Sequence, residues 1–134
     1  MRTPSPSILY VDDNADSREV ISLMLNIADD KYDVTTVDRA DKAINLINGQ
    51  NYDLYILDYR LPEIDGIELC RQIRKTDTVT PIIFYSGAAY KAEREQAIAA
   101  GANAYLVKPN DLDNLTDTVK LLLSGGGEQS QASH

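Results

Sequence analysis

The chain is short of cysteine, of long apolar runs and of positive charge, and each shortage excludes a class of protein. A single cysteine, Cys70, cannot form an internal disulfide and fits a reducing compartment. No apolar run approaches the roughly 20 residues needed to span a bilayer. The start, Met1-Arg2-Thr3-Pro4-Ser5-Pro6-Ser7, leads straight into a strand-like run and lacks a signal-peptide hydrophobic region. The expected location is therefore the cytoplasm. Thirteen Lys and Arg stand against 21 Asp and Glu, for a net charge of −8. That balance argues against duplex DNA or an anionic membrane as a direct partner, since both select clustered basic residues.

What is present is a globular composition. The 134 residues, 43% of them hydrophobic, make one domain that buries roughly two-thirds of its unfolded surface. The sequence predicts a domain over 8–123 between flexible ends at 1–7 and 124–134. It shows no internal repeat, and the polar Gly-rich tail is too short for a second domain.

Strands and helices alternate along the domain. Ile8-Leu9-Tyr10-Val11 is a compact apolar strand, followed by a helix with Val20, Ile21, Met24, Leu25 and Ala28 at helical spacing. Asp33 to Val37 forms a second strand, and Ala40, Ala43, Ile44 and Ile47 mark a helix closed by Asn48-Gly49. Leu54-Tyr55-Ile56-Leu57 is too short for a helix and stops at Asp58. A loop through Pro62 to Asp65-Gly66 leads to a helix striped by Ile67, Cys70 and Ile73. Pro81 to Tyr85 is a fourth strand ending in Ser86-Gly87, and a helix from Lys91 to Ala100 stops at Gly101. Ala104 to Val107 is a fifth strand ending at Lys108-Pro109, and Leu112, Leu115, Val119 and Leu122 supply the last helix. Five strands alternating with five helices imply a doubly wound α/β fold with a parallel sheet covered on both faces.

In such a sheet all strands end along one edge, where ligands bind. Strands one, three, four and five end at Asp12-Asp13, Asp58, Ser86 and Lys108, so these residues converge. Two carboxylates about 4 Å apart repel by roughly 4 kcal/mol at an effective dielectric near 20. A hard cation such as Mg²⁺ removes that cost and suits carboxylates plus a phosphate. Lys108 supplies a positive charge on a long stem, and Ser86 supplies a hydroxyl, with Gly87 keeping the approach open. These parts place and stabilise a transferring phosphoryl group, with Asp58 as nucleophile. Alone, each has a plainer role: Asp12-Asp13-Asn14 and Ser86-Gly87 as helix caps, Asp58 and Lys108-Pro109 as loop residues. Their joint placement at four strand ends favours the chemical reading.

The chain resembles the receiver domain of two-component response regulators from about Ile8 to Leu123. The resemblance is carried by Val11-Asp12-Asp13 with Arg18, by Leu57-Asp58-Tyr59-Arg60-Leu61-Pro62 running to Asp65-Gly66, by Tyr85-Ser86-Gly87, and by Gly101 to Pro109. It implies the flavodoxin-like strand order 2-1-3-4-5. It also implies that a histidine kinase or histidine phosphotransfer protein donates phosphate to Asp58. Mg²⁺ would be held by Asp13, Asp58 and the backbone carbonyl of Arg60, with Asp12 acting mainly through water. Lys108 would contact the phosphoryl group, Ser86 would move to bond it, and Tyr105 stands where the family has its switch aromatic. Taken without the family likeness, Tyr105 also reads as a half-buried strand tyrosine. Asn14, Leu61 and Gly87 depart from common family choices, and Arg60 and Ala88 lie where the family tunes phosphoryl lifetime.

The implied function is a signalling switch, not an enzyme on an outside substrate, that catalyses only its own phosphorylation and dephosphorylation. Output would pass by protein contact through the fourth helix, fifth strand and fifth helix, where Lys91, Arg94 and Lys120 read either as output contacts or, more plainly, as solvated side chains. The chain is either a stand-alone receiver or part of a longer regulator, and no direct nucleic-acid or membrane partner is expected. Two rivals differ in class. A haloacid-dehalogenase-like phosphatase wants an acid two residues after its nucleophile, where this chain has Arg60. A flavodoxin-like cofactor carrier wants a Ser/Thr/Gly-rich phosphate loop after strand one, where this chain has acids.

Overall fold

Alternate residues of the central strands are divided between two buried layers, and this division builds the molecule. The structure, a computed structural model, describes residues 5–125. Its elements are β1 (Ser7–Val11), α1 (Ala15–Ala28), β2 (Asp33–Val37), α2 (Ala40–Gly49), β3 (Leu54–Leu57), α3 (Gly66–Arg74), β4 (Ile82–Ser86), α4 (Lys91–Ala100), β5 (Ala104–Val107) and α5 (Leu112–Leu123). The five strands form one parallel sheet in the order β2-β1-β3-β4-β5.

Ile8 and Tyr10 of β1, Leu54 and Ile56 of β3, and Ile83 and Tyr85 of β4 pack with Ile21 and Leu25 of α1 and Leu115 and Val119 of α5. Their neighbours Leu9, Val11, Tyr55, Leu57, Ile82 and Phe84 face the other way, onto Ala40 and Ala43 of α2, the α3 residues Ile67, Leu69, Cys70 and Ile73, and Ala97 of α4. The strand period of two thus gives each face its own core. Both faces being apolar is why β1, β3 and β4 read as continuous hydrophobic runs.

Several boundaries differ from the sequence expectation. β1 begins at Ser7, inside the segment expected to be a flexible end. The Asp33 amide donates to the Pro6 carbonyl at 2.8 Å, and the Ser7 amide donates to Asp53 Oδ2 at 2.8 Å. The remaining expected ends, 1–4 and 126–134, lie outside the described residues. Gly49 is the last residue of α2 rather than its left-handed cap, and Gln50 ends the helix in extended conformation. Gly101 does cap α4, with φ 118°. In α1 only Ile21 and Leu25 of the expected stripe are buried, while Val20 is 46% exposed. The helix presents a narrow edge to the sheet, so its flanking apolar residues face outward.

Candidate functional site

Backbone hydrogen bonds carry the sheet one step past its strands and so fix the site. The Asp12 amide donates to the Val37 carbonyl (3.1 Å), the Asp58 amide to the Val11 carbonyl (3.0 Å), and the Lys108 amide to the Ser86 carbonyl (2.8 Å). The side chains of Asp12, Asp58 and Lys108 therefore leave from backbone that is still tied to the sheet. The register Val11↔Leu57, Leu57↔Phe84 and Ser86↔Val107 brings them to one edge, as the alternation of elements predicted.

Asp12 and Asp58 are buried and Asp13 is exposed, and ligand oxygens of all three lie within 4.8 Å of one another. Lys108 Nζ bridges the buried pair, donating to Asp12 Oδ2 at 2.5 Å and to Asp58 Oδ2 at 3.1 Å. The second oxygen of Asp12 accepts from the Asn14 amide at 2.9 Å, and that of Asp58 from the Arg60 amide at 3.2 Å. Asn14 also caps α1, its Oδ1 accepting from the Ser17 amide at 2.9 Å, so capping and site geometry share one turn.

Burial pushes the Asp58 carboxyl above the usual carboxylate range; the Ser86 hydroxyl pulls it back, the charge of Asp12 adds to the rise, and Lys108 opposes it. Burial acts to lower the Lys108 pKa, yet the bonds and charges of Asp12 and Asp58 outweigh it and raise the net value. The lysine remains an ammonium. A set of hard carboxylate oxygens clustered this tightly fits a hard divalent cation.

The other expected residues lie around this centre. Ser86 is buried at the end of β4, and its Oγ accepts from the Ala88 amide at 3.2 Å. Tyr105 is 6% exposed, more deeply placed than a half-buried strand tyrosine. Its hydroxyl donates to the Ala88 carbonyl at 2.5 Å, and its ring stacks on Phe84 at 5.8 Å. Tyr105 therefore meets the site through the Ser86–Ala88 turn and not by touching the carboxylates. The Arg60 side chain leaves the site to pair with Glu93 of α4 at 3.1 Å, and its neighbour Tyr59 donates to Gln96 of α4 at 2.5 Å. Arg94 lies 5.8 Å over the Tyr105 ring, whereas Lys91 pairs loosely with Glu95 at 3.9 Å. A Cβ at Gly87 would meet nothing within 4 Å, so that position is open.

Sequence reasoning missed one contributor and left the role of another unassigned. Tyr10, fully buried, donates its hydroxyl to Asp12 Oδ2, the same oxygen that Lys108 holds. Burial first, and then the bond to Asp12, push the phenol upward, so it stays a protonated donor. The signal was the spacing: residues two apart in a strand share a face. Arg18, singled out with Val11-Asp12-Asp13 in the sequence but given no role, donates from Nη1 to the Asp12 carbonyl at 2.7 Å.

Known proteins resemble this chain in sequence and fold. The profile of the response regulator receiver domain matches residues 8–120. The transcriptional regulatory protein ResD of Bacillus subtilis is 36% identical over 129 residues, which cover 96% of this chain and 52% of ResD. The chain thus spans about half the length of that relative. A CheY-like receiver domain protein of Methanospirillum hungatei superposes with a TM-score of 0.83 at 25% identity, over 92% of this chain and 98% of that one. The response regulator TrrA of Thermotoga maritima, solved in complex with Mg²⁺ and BeF, superposes with a TM-score of 0.78 at 33% identity, over 87% of this chain and 98% of that one. These matches displace the phosphatase and cofactor-carrier readings. By its sequence profile, its strand order and the convergence of its acids with Lys108, the chain belongs to the response regulator receiver domain family.

Proposed function

We propose that this receiver domain is a phosphorylation switch in which Asp58 accepts a phosphoryl group from the phosphohistidine of a histidine kinase or histidine phosphotransfer protein. The observation that carries the reading is the seat of Asp58: buried on a rigid strand end, with Lys108 3.1 Å from Oδ2 and two further carboxylates beside it. A carboxylate oxygen of Asp58 forms the new bond to phosphorus as the phosphorus–nitrogen bond to the donor imidazole breaks. The bonding pair leaves with that nitrogen, which takes up a proton. Asp13, Asp58 and the Arg60 backbone carbonyl would hold Mg²⁺, with Asp12 acting through water; the bound cation would offset charge on the phosphoryl oxygens. That TrrA was solved with Mg²⁺ and BeF supports this choice of metal.

Lys108 donates to a phosphoryl oxygen, and Ser86 shifts to donate its hydroxyl to another. Because Tyr105 is bonded to the Ala88 carbonyl, a shift of the Ser86–Ala88 turn changes what holds the ring. Output then passes through α4, β5 and α5 by protein contact, either with a separate partner or with a further part of a longer polypeptide. The only reactions the domain catalyses are its own phosphorylation and dephosphorylation. We place it in the cytoplasm; among the described residues no helix is long and apolar enough to cross a membrane.

Incubation with acetyl phosphate and Mg²⁺ should add one phosphoryl group by intact mass, and Asp58→Asn should abolish the addition. Uptake that survives the substitution contradicts the assignment. Asp13→Ala should weaken Mg²⁺ binding sharply in a calorimetric titration, and unchanged affinity would remove Asp13 from the metal site.

A further inference from the structure

Lys108 can reach a phosphoryl oxygen only by loosening a contact it already has. Its ammonium carries three N–H groups, and they are directed at Asp12 Oδ2 (2.5 Å), Asp58 Oδ2 (3.1 Å) and, distantly, Ser17 Oγ (3.5 Å). The tie that holds it back is the short one to Asp12. That carboxylate has no exposed surface, and a buried charge that loses one of its donors is costly. The Asn14 amide serves the other oxygen, Oδ1.

Oδ2 has a second donor, the hydroxyl of Tyr10. Tyr10 sits in β1 two residues before Asp12, on the same face, and its side chain belongs to the buried cluster that includes Ile21, Leu25, Ile56 and Tyr85. That packing keeps the hydroxyl in place whatever Lys108 does.

We propose that Tyr10 is a positioning residue: its hydroxyl keeps Asp12 Oδ2 satisfied when Lys108 turns to the phosphoryl group, and so lowers the cost of releasing the lysine. The inference rests on the reading of Asp58 as phosphoryl acceptor. It differs from a merely structural role, in which Tyr10 fills the core and bonds the nearest oxygen. A structural defect would disturb Asp12 in every state, whereas a release defect appears only when Lys108 must move.

The test is Tyr10→Phe, which keeps the ring and removes the hydroxyl. Binding of Mg²⁺ alone, and of beryllofluoride at saturating Mg²⁺, are each measured by calorimetry on wild type and variant. The variant should bind beryllofluoride about tenfold more weakly, the equivalent of roughly 1.4 kcal/mol and of one charge-assisted hydrogen bond. Mg²⁺ alone should bind no more weakly than to wild type, because Lys108 need not leave Asp12 to admit it. Equal weakening of both ligands, or unchanged beryllofluoride affinity in the variant, overturns the role of Tyr10 while leaving Asp58 as acceptor. A wild type that binds Mg²⁺ but takes up no beryllofluoride overturns the acceptor reading, and the role of Tyr10 with it.

Discussion

At Asp58, burial raises the carboxyl pKa most; the Ser86 hydroxyl opposes the rise, the facing charge of Asp12 adds to it, and Lys108 opposes it. A carboxyl with a raised value holds its proton more tightly folded than unfolded. Stability therefore falls as pH climbs from the ordinary 3.8 through the raised folded value, and above that window the whole penalty applies. Asp58→Asn should remove this slope and, without metal, leave the domain more stable than wild type at neutral pH. Urea unfolding of both proteins at pH 4 and pH 7 checks it; a variant less stable than wild type at pH 7 contradicts the electrostatic account. Asp58 was legible in the sequence because an apolar strand ends on it and three other strands end on polar groups. The hydroxyl of Tyr10 was not legible in the same way. A tyrosine inside an apolar strand reads as core, and only the placement of Asp12 beyond the strand end shows where its hydroxyl goes.

The elements around the site are fixed by close backbone approach as much as by apolar burial. The N-terminus of α3 lies against the acceptor: the Gly66 amide donates to the Tyr59 carbonyl at 2.8 Å, and a Cβ on Gly66 would stand 2.1 Å from the Asp58 carbonyl oxygen. Gly66→Ala gains up to about 1 kcal/mol of helix propensity, yet it must push α3 off the strand end, an overpacking cost of about 1–3 kcal/mol. The net effect should be a loss of stability together with reduced phosphoryl uptake from acetyl phosphate. A variant at least as stable as wild type, with full uptake, would show that the contact does not constrain the site. At this scale the sequence carried most of the fold, since the alternating apolar runs located every strand and helix. Its errors came from helix faces and ends. Periodicity marks the apolar stripe of α1 but not how little of it the sheet covers, and Asn48-Gly49 reads as a stop although α2 runs on through Gly49.

In the whole molecule, strand order determines which groups can meet. With β1 beside β3 at the centre, Asp12 and Asp58 face each other across adjacent strand ends, and β4 and β5 bring Ser86 and Lys108 from one side. The same arrangement connects the site to α4, through the Arg60–Glu93 pair and the Tyr59–Gln96 bond, and to β5 through the Tyr105–Ala88 bond. Phosphoryl-group mimicry at Asp58 should therefore be felt along this side of the sheet and little at β2 and α2. With Mg²⁺ and beryllofluoride added, amide exchange should change most over 86–96 and 105–108; a change centred on 33–49 would contradict that coupling. The most direct test of the central claim is to locate the phosphoryl group itself. After treatment with acetyl phosphate and Mg²⁺, borohydride reduction converts an aspartyl phosphate to homoserine, and peptide mass mapping finds the converted residue. Conversion at position 58 alone is the expected result, and conversion at Asp12, at Asp13 or nowhere would contradict the account.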